Sequence, residues 1–213
     1  MKKVLVLNSS ARKLNSKSRK LTEVFTDHWK NIHNNPVIHY RDLADSQVLH
    51  IDEAWIAAAF KPKASRSPEE IEALTTSNTY IAELQEADVI VIGAPMYNWS
   101  IPSTFKAYID QILRVNETWK LNPDNFENPY FGLLKNKTLF LLLSRGAQGY
   151  EKGEYNEHMN FQSNYLKTVF NIIGVTNIHV VAVNGESFDP EKYQESIKSS
   201  HQAIKDLIEK ELN

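Results

Sequence analysis

Val4-Leu5-Val6-Leu7-Asn8-Ser9-Ser10 opens on four apolar residues in a row and stops abruptly at an amide and two hydroxyls. A strand with one wet face alternates apolar and polar side chains. An unbroken apolar run reads instead as a strand covered on both faces. Val89-Ile90-Val91-Ile92, Leu139-Phe140-Leu141-Leu142-Leu143 and His179-Val180-Val181-Ala182-Val183 repeat the pattern. Pro36-Val37-Ile38-His39-Tyr40-Arg41 partly alternates, as an edge strand should.

Helices between these runs announce themselves by their ends. Ser67-Pro68-Glu69-Glu70 sets an N-cap serine, a first-turn proline and a capping-box glutamate in register. Asp189-Pro190-Glu191 opens the last helix in a similar way, with Ile197, Ile204, Leu207 and Ile208 on one apolar stripe. Further helices are expected from about Lys17 to His33, Pro102 to Arg114 and Asn160 to Ile173. Five β–α units with right-handed crossovers make an α/β fold, a doubly wound five-stranded parallel sheet of order 2-1-3-4-5 with helices on both faces. The 213 residues suit one domain spanning 1–213, without repeat, linker or low-complexity tract. Ala44–Arg66 and Asn116–Lys137 read as loops longer than ordinary connections, of the kind that serve a ligand or a partner subunit.

Composition narrows the function classes. Cysteine is absent, which removes disulfides and thiolate chemistry and suits a reducing cytoplasm. The 24 basic and 26 acidic residues are interspersed, with net charge −2, so no basic stripe exists to grip nucleic acid. The first apolar run is too short for a signal-peptide core, and no stretch approaches a membrane span, so a soluble cytoplasmic chain is expected. His28, His33, His39, His50, His158, His179 and His201 show no ligand spacing, and no metal is expected. Trp29 reads as a packing residue; Trp55 and Trp119 read as core or dimer-contact aromatics.

An open parallel sheet binds ligands beyond the carboxyl ends of its strands, where strand order reverses. Here that point lies between strands one and three, with strand four alongside. Asn8–Ser18 brings hydroxyls and amides without a glycine: Asn8, Ser9, Ser10, Asn15, Ser16 and Ser18. It leads into a helix whose N-terminus offers free N–H groups and positive dipole to a phosphate, with Lys17 or Arg19 adding charge, although Ser16 can equally be an ordinary helix cap. Neither Gly-x-Gly-x-x-Gly nor Gly-Lys-Ser/Thr is present, which disfavours a Rossmann dinucleotide site and a P-loop. Gly93-Ala94-Pro95-Met96-Tyr97-Asn98-Trp99-Ser100-Ile101-Pro102 can lay an apolar wall against a planar ring, or its aromatics can simply pack inward. Ser144-Arg145-Gly146-Ala147-Gln148-Gly149-Tyr150 allows close backbone approach at Gly146 and a counter-charge at Arg145.

Lys3–Ser10 with Ser16-Lys17-Ser18, Ala94-Pro95-Met96-Tyr97-Asn98-Trp99 and Ser144-Arg145-Gly146 together resemble the FMN-dependent NADH-azoreductase family, within the NAD(P)H quinone reductase group. Arg41-Asp42-Leu43 and Phe105-Lys106-x-Tyr108-x-Asp110 extend the resemblance over nearly the whole chain. It implies a flavodoxin-like fold, FMN as bound cofactor and a homodimer in which each partner completes the other's site. It also implies that Ser10, Ser16, Lys17 and Ser18 hold the FMN phosphate. By the same resemblance Met96, Tyr97, Asn98, Trp99, Ser144, Arg145, Gly146 and Ala147 line the isoalloxazine. Two departures, Ala147 in place of a second glycine and no glycine-proline turn in Trp119–Phe131, fall where the second substrate should bind.

The implied activity is an NAD(P)H oxidoreductase reducing quinones or azo compounds, with NADH or NADPH as donor. Donor and acceptor use one slot in turn, a ping-pong cycle of two-electron hydride transfer. The flavin carries the chemistry and no side chain is assigned an acid or base role; Tyr150 or a partner residue is a candidate for assisting protonation. The alternative is a flavodoxin-type electron carrier that binds FMN without oxidising NAD(P)H. Carriers usually offer a strongly acidic face, which a net charge of −2 matches poorly. A phosphoacceptor receiver domain needs aspartates after strands one and three, and this chain has Asn8-Ser9-Ser10 and Gly93-Ala94-Pro95 there.

Overall fold

The computed structural model describes residues 2–45 and 47–211. The apolar runs form β1 (Lys3–Asn8), β3 (Val89–Pro95), β6 (Thr138–Ser144) and β7 (Asn177–Val183), and the alternating segment forms β2 (Val37–Asp42). These five pair in parallel in the order β2-β1-β3-β6-β7. That is the expected order, with the short strands β4 (Trp119–Leu121) and β5 (Tyr130–Gly132) standing apart as an antiparallel hairpin.

Successive side chains of a strand point to opposite faces, and the core divides accordingly. Val4, Val6, Val89, Val91, Phe140 and Leu142 face one layer, α1 (Lys17–Ile32) and α7 (Pro190–Lys210), where they meet Leu21, Phe25, Trp29, Ile204 and Ile208. Leu5, Leu7, Ile90, Ile92, Leu139, Leu141 and Leu143 face the other, built by α4 (Thr75–Glu86), α5 (Ser103–Ile112) and α6 (Ser163–Ile172). All seven residues of β3 and all seven of β6 are buried, which is why their sequences do not alternate. Each fully buried aliphatic or aromatic side chain contributes about 1.5–3 kcal/mol of transfer free energy. Trp29 belongs to this core, stacked on Phe25 and His33.

The helix signals hold where a side chain closes the end. Ser67 and Glu70 form the capping box that opens α3 (Pro68–Ala73), and Asp189 caps α7 through the Lys192 amide. Other boundaries shift for local reasons. α6 starts at Ser163 rather than near Asn160, because the Asn160 side chain accepts from the Ser163 amide and donates to the Tyr150 carbonyl, holding a turn. The long stretch Ala44–Arg66 is not all loop: Asp52 caps α2 (Glu53–Phe60), which buries Trp55, Ala58 and Ala59 against Leu74. The Trp55 indole donates to Gln111 Oε1 at 2.8 Å. In the second long stretch, the β4–β5 hairpin docks where a Cβ on Gly132 would lie 2.1 Å from the Gly174 nitrogen, so two backbones touch there.

Another close approach sets the geometry of the whole carboxyl end of the sheet. A Cβ on Gly93, in β3, would meet Thr22 Cγ2 at 2.7 Å, Asn8 Oδ1 at 2.9 Å and the Ser18 carbonyl at 3.0 Å. Only a bare α-carbon lets the first turns of α1 lie against β1 and β3. The Thr22 hydroxyl then donates to Asn8 Oδ1 at 3.0 Å. Gly93→Ala is expected to destabilise the chain by about 1–3 kcal/mol, as overpacking does. Thermal unfolding should register this as a loss of several degrees in Tm.

Candidate functional site

Three strand ends meet at the crevice. The Ser9 amide and hydroxyl both donate to the Gly93 carbonyl at 3.0 Å, tying the exit of β1 to β3. The Met96 amide donates to the Ser144 carbonyl at 2.7 Å, and the Arg145 amide to the Val183 carbonyl at 2.8 Å, tying β3 to β6 and β6 to β7. A cleft of about 150 Å³ opens between them. It has room for a phosphate-sized group and a short chain, so anything larger must continue over the open tips of β3 and β6. A hollow of about 260 Å³ lies at the amino end of the sheet, under β2 beside His39 and Glu83. Parallel sheets do not place their ligands at that end.

Ser10, Ser16, Lys17, Arg12 and Asn15 line the cleft on one side. Ser16 caps α1, its Oγ accepting from the Arg19 amide at 3.4 Å and lying 3.3 Å from the Ser18 hydroxyl. Asn15 enters the cap in the left-handed region, φ +59°, which asparagine tolerates. The amides of Lys17 and Ser18, in the first turn of the helix, have no carbonyl partner within it. Together with the serine hydroxyls and two cations they form a donor set suited to an anion.

Met96, Tyr97, Ser144, Arg145 and Gly146 line the other side. The Tyr97 hydroxyl lies 3.5 Å from Ser10 Oγ, bridging the two halves. Arg145 is buried; its Nε donates to Gln162 Oε1 at 2.9 Å and its Nη1 to Glu151 at 2.6 Å, while Nη2 has no partner. A buried donor with no acceptor is costly in a finished structure and ordinary in a binding site. The arginine stacks on Tyr150, which is itself buried, so Tyr150 supports the guanidinium from below.

Not every expected residue reaches the cleft. Ser18 is wholly buried behind Ser16, and Ala147 lies outside the lining. Asn98 and Trp99 sit at the tip of a two-residue turn, both at positive φ (+49° and +65°), closed by reciprocal 3.0 Å bonds between Tyr97 and Ser100. The turn leaves Trp99 52% exposed, and beyond it the Ser100 hydroxyl donates to the Phe161 carbonyl at 3.5 Å. Arg19 adds no charge to the cleft. Its guanidinium pairs with both oxygens of Asp42 and donates to the Ser10 and Arg12 carbonyls at 2.9 Å, clamping the serine loop from behind. Sequence reasoning does not single out Arg12, Gln162 or Glu186. Gln162 is invisible in sequence because its role, donating to the Ala94 carbonyl at 3.1 Å while holding Arg145, spans 68 residues.

Burial by itself would raise the Asp42 carboxyl, but the Arg19 guanidinium and the Ala44 amide hold it below its ordinary value. A carboxyl depressed in the folded state lends stability that is complete above its unfolded pKa and lost as pH falls through the folded one. Asp42→Asn is therefore expected to cost about 1–3 kcal/mol at neutral pH, the size of a partly buried charged hydrogen bond. The difference from wild type should shrink on acidification below about pH 4, as urea unfolding over a pH series will show.

Among the described residues there is no group of three metal-ligating side chains, and no helix is long and apolar enough to cross a membrane. A family model described as flavodoxin-like fold matches residues 2–208. The FMN-dependent NADH:quinone oxidoreductase 1 of Trichormus variabilis is 42% identical over 97% of this chain and 95% of its own length. The FMN-dependent NADH:quinone oxidoreductase of Nostoc punctiforme is 39% identical, covering 98% of each chain. Among solved structures, an azoreductase from Bacillus anthracis str. Sterne superposes with TM-score 0.87 at 27% identity, covering 97% of this chain and 98% of that one. An FMN-dependent NADH-azoreductase from Bacillus anthracis str. Ames Ancestor in complex with FMN superposes with TM-score 0.83 at 27% identity, over 97% and 99% of the two chains. With its strand order, its strand-end crevice and its likeness along nearly the full length, this chain belongs to the flavodoxin-like FMN-dependent NADH:quinone oxidoreductase and azoreductase family.

Proposed function

We propose that this chain is an FMN-dependent NAD(P)H oxidoreductase that reduces quinones or azo compounds two electrons at a time. The observation that carries the reading is the convergence, in one cleft, of the α1 N-terminus, Ser10, Ser16 and Lys17 with the tips of β3 and β6. When bound, FMN supplies the hydride chemistry between a nicotinamide donor and an electron-poor acceptor.

The protein's part is binding and orientation. Ser10, Ser16, Lys17 and the first-turn amides of α1 hold the phosphate, and Ser18 supports Ser16 from within. Met96, Tyr97, Asn98 and Trp99 form one border of the flavin ring, and Ser144, Arg145, Gly146 and Ala147 form the other. Arg145, steadied by Gln162 and Glu151, stands buried behind that border with its Nη2 donor unpartnered. No side chain is asked to shuttle a proton, so donor and acceptor can share one slot in turn. Trp99 and Phe161 stand exposed where a flat aromatic acceptor would arrive.

The working unit is a homodimer in the cytoplasm. Phe60, Phe126, Phe161 and Phe188 are each more than half exposed, apolar surface that a partner subunit could cover. The absence of cysteine suits a reducing compartment.

Anaerobic mixing of the yellow holoprotein with NADH or NADPH tests the activity: prompt bleaching and recolouring on adding a quinone are expected. A protein that binds FMN but stays yellow is a carrier and not this enzyme. Removing the Ser16 and Ser18 hydroxyls together should weaken FMN binding at least tenfold, since one hydrogen bond to a charged group contributes about 1.5–3 kcal/mol. Unchanged FMN affinity in a folded Ser16→Ala, Ser18→Ala variant would discredit the phosphate cradle.

A further inference from the structure

The cleft that gathers serines, amides, Arg12 and Lys17 also contains a carboxylate. Glu186 is the one acidic side chain lining it among the described residues. It follows β7 in a turn fixed by backbone bonds. The Gly185 amide reaches the Arg145 and Ala147 carbonyls, both at 3.2 Å, and the Ser187 amide reaches the Gly146 carbonyl at 3.0 Å. The turn is thus bolted to the loop after β6, which fixes the Glu186 backbone at the rim.

From the rim its Oε1 lies 3.5 Å from the Lys17 ammonium, which also stands over the Tyr193 ring at 5.6 Å. Both members of the ion pair are partly exposed, so neither is held by desolvation, and the pair itself adds little to stability. Its position is what matters. A carboxylate beside the helix N-terminus takes the place, relative to Lys17, that a ligand's anionic group would take.

Resting on the reading that the cleft holds the FMN phosphate, we propose that Glu186 is an affinity-setting residue. Its charge competes with the phosphate for Lys17 and repels it, so that FMN is held more loosely than the cradle alone would allow. A phosphorylated flavin meets this repulsion and a flavin lacking the phosphate does not. Glu186 therefore also narrows the preference for FMN over riboflavin.

The full chain, stripped of flavin, is titrated with FMN and with riboflavin by flavin fluorescence, as wild type and as Glu186→Gln. Glutamine keeps the shape and removes the charge. FMN should bind the variant roughly three- to tenfold more tightly at low ionic strength, the modest size of one screened like-charge contact, with the gain shrinking as salt is added. Riboflavin affinity should be unchanged. Lys17→Met should weaken FMN binding more in the Glu186→Gln background than in wild type, because the freed ammonium then serves the phosphate alone. Weaker FMN binding by Glu186→Gln, or an equal gain for riboflavin, would overturn the proposal while leaving the cofactor assignment standing. Failure of both proteins to bind either flavin would overturn the cofactor assignment, and this inference with it.

Discussion

The contact on which the crevice depends is the one between the first turns of α1 and the bare α-carbon of Gly93. A helix N-terminus is useful to an anion only if its free amides are held at a fixed place relative to the rest of the site. Here the fixing is done three times over. Gly93 admits the helix, the Thr22 hydroxyl ties it to Asn8, and Arg19 ties it to Asp42 at the end of β2 and to the carbonyls of Ser10 and Arg12. Sterics, a neutral hydrogen bond and an ion pair thus converge on one segment of about ten residues. The cations within it have separate roles. Arg19 holds the structure together, and Arg12 and Lys17 remain at the opening.

The opposite wall solves a different problem, that of presenting aromatic surface outward from a buried strand. β3 is buried to its last residue, and the chain must turn at once to expose anything. It does so with Asn98 and Trp99 both in the left-handed region, the backbone of a two-residue hairpin turn. Asparagine accepts that conformation readily; a bulky tryptophan does so at a cost of order 1–3 kcal/mol. The reciprocal Tyr97–Ser100 bonds and the Ser100–Phe161 contact hold it there. Strain retained at this point leaves a large apolar ring half-exposed just beyond the tip of β3, which a relaxed glycine could not.

The sheet is legible in the sequence because its residues carry their environment locally. Val4 to Leu7, Val89 to Ile92 and Leu139 to Leu143 are apolar at every position because they are covered on both faces, and that is visible without coordinates. Caps at Ser67 and Asp189 are equally legible, since the capping residue and its partner lie three apart. The hairpin β4–β5 is not, because its strands are three residues each and its docking rests on the Gly132–Gly174 approach between distant segments. Helix α2 escapes a reading of the sequence although Asp52 marks its start, since its few buried residues give only a weak stripe. At the site, the serines and the strand-end loops can be named from sequence. The Arg19–Asp42 clamp, the Arg145–Gln162–Glu151 group and Glu186 cannot, because each joins residues whose proximity only the fold creates.

If the open end of α1 receives the phosphate, its free N–H groups must respond when the flavin binds. Backbone amide NMR of the isotopically labelled full chain, followed as FMN is added, reads those groups directly. The amides of Lys17 and Ser18 should shift most, saturating with the flavin, while the Arg19 amide, already bonded to the Ser16 hydroxyl, should move less. Saturable FMN binding that leaves Lys17 and Ser18 unmoved would contradict a phosphate seated on this helix.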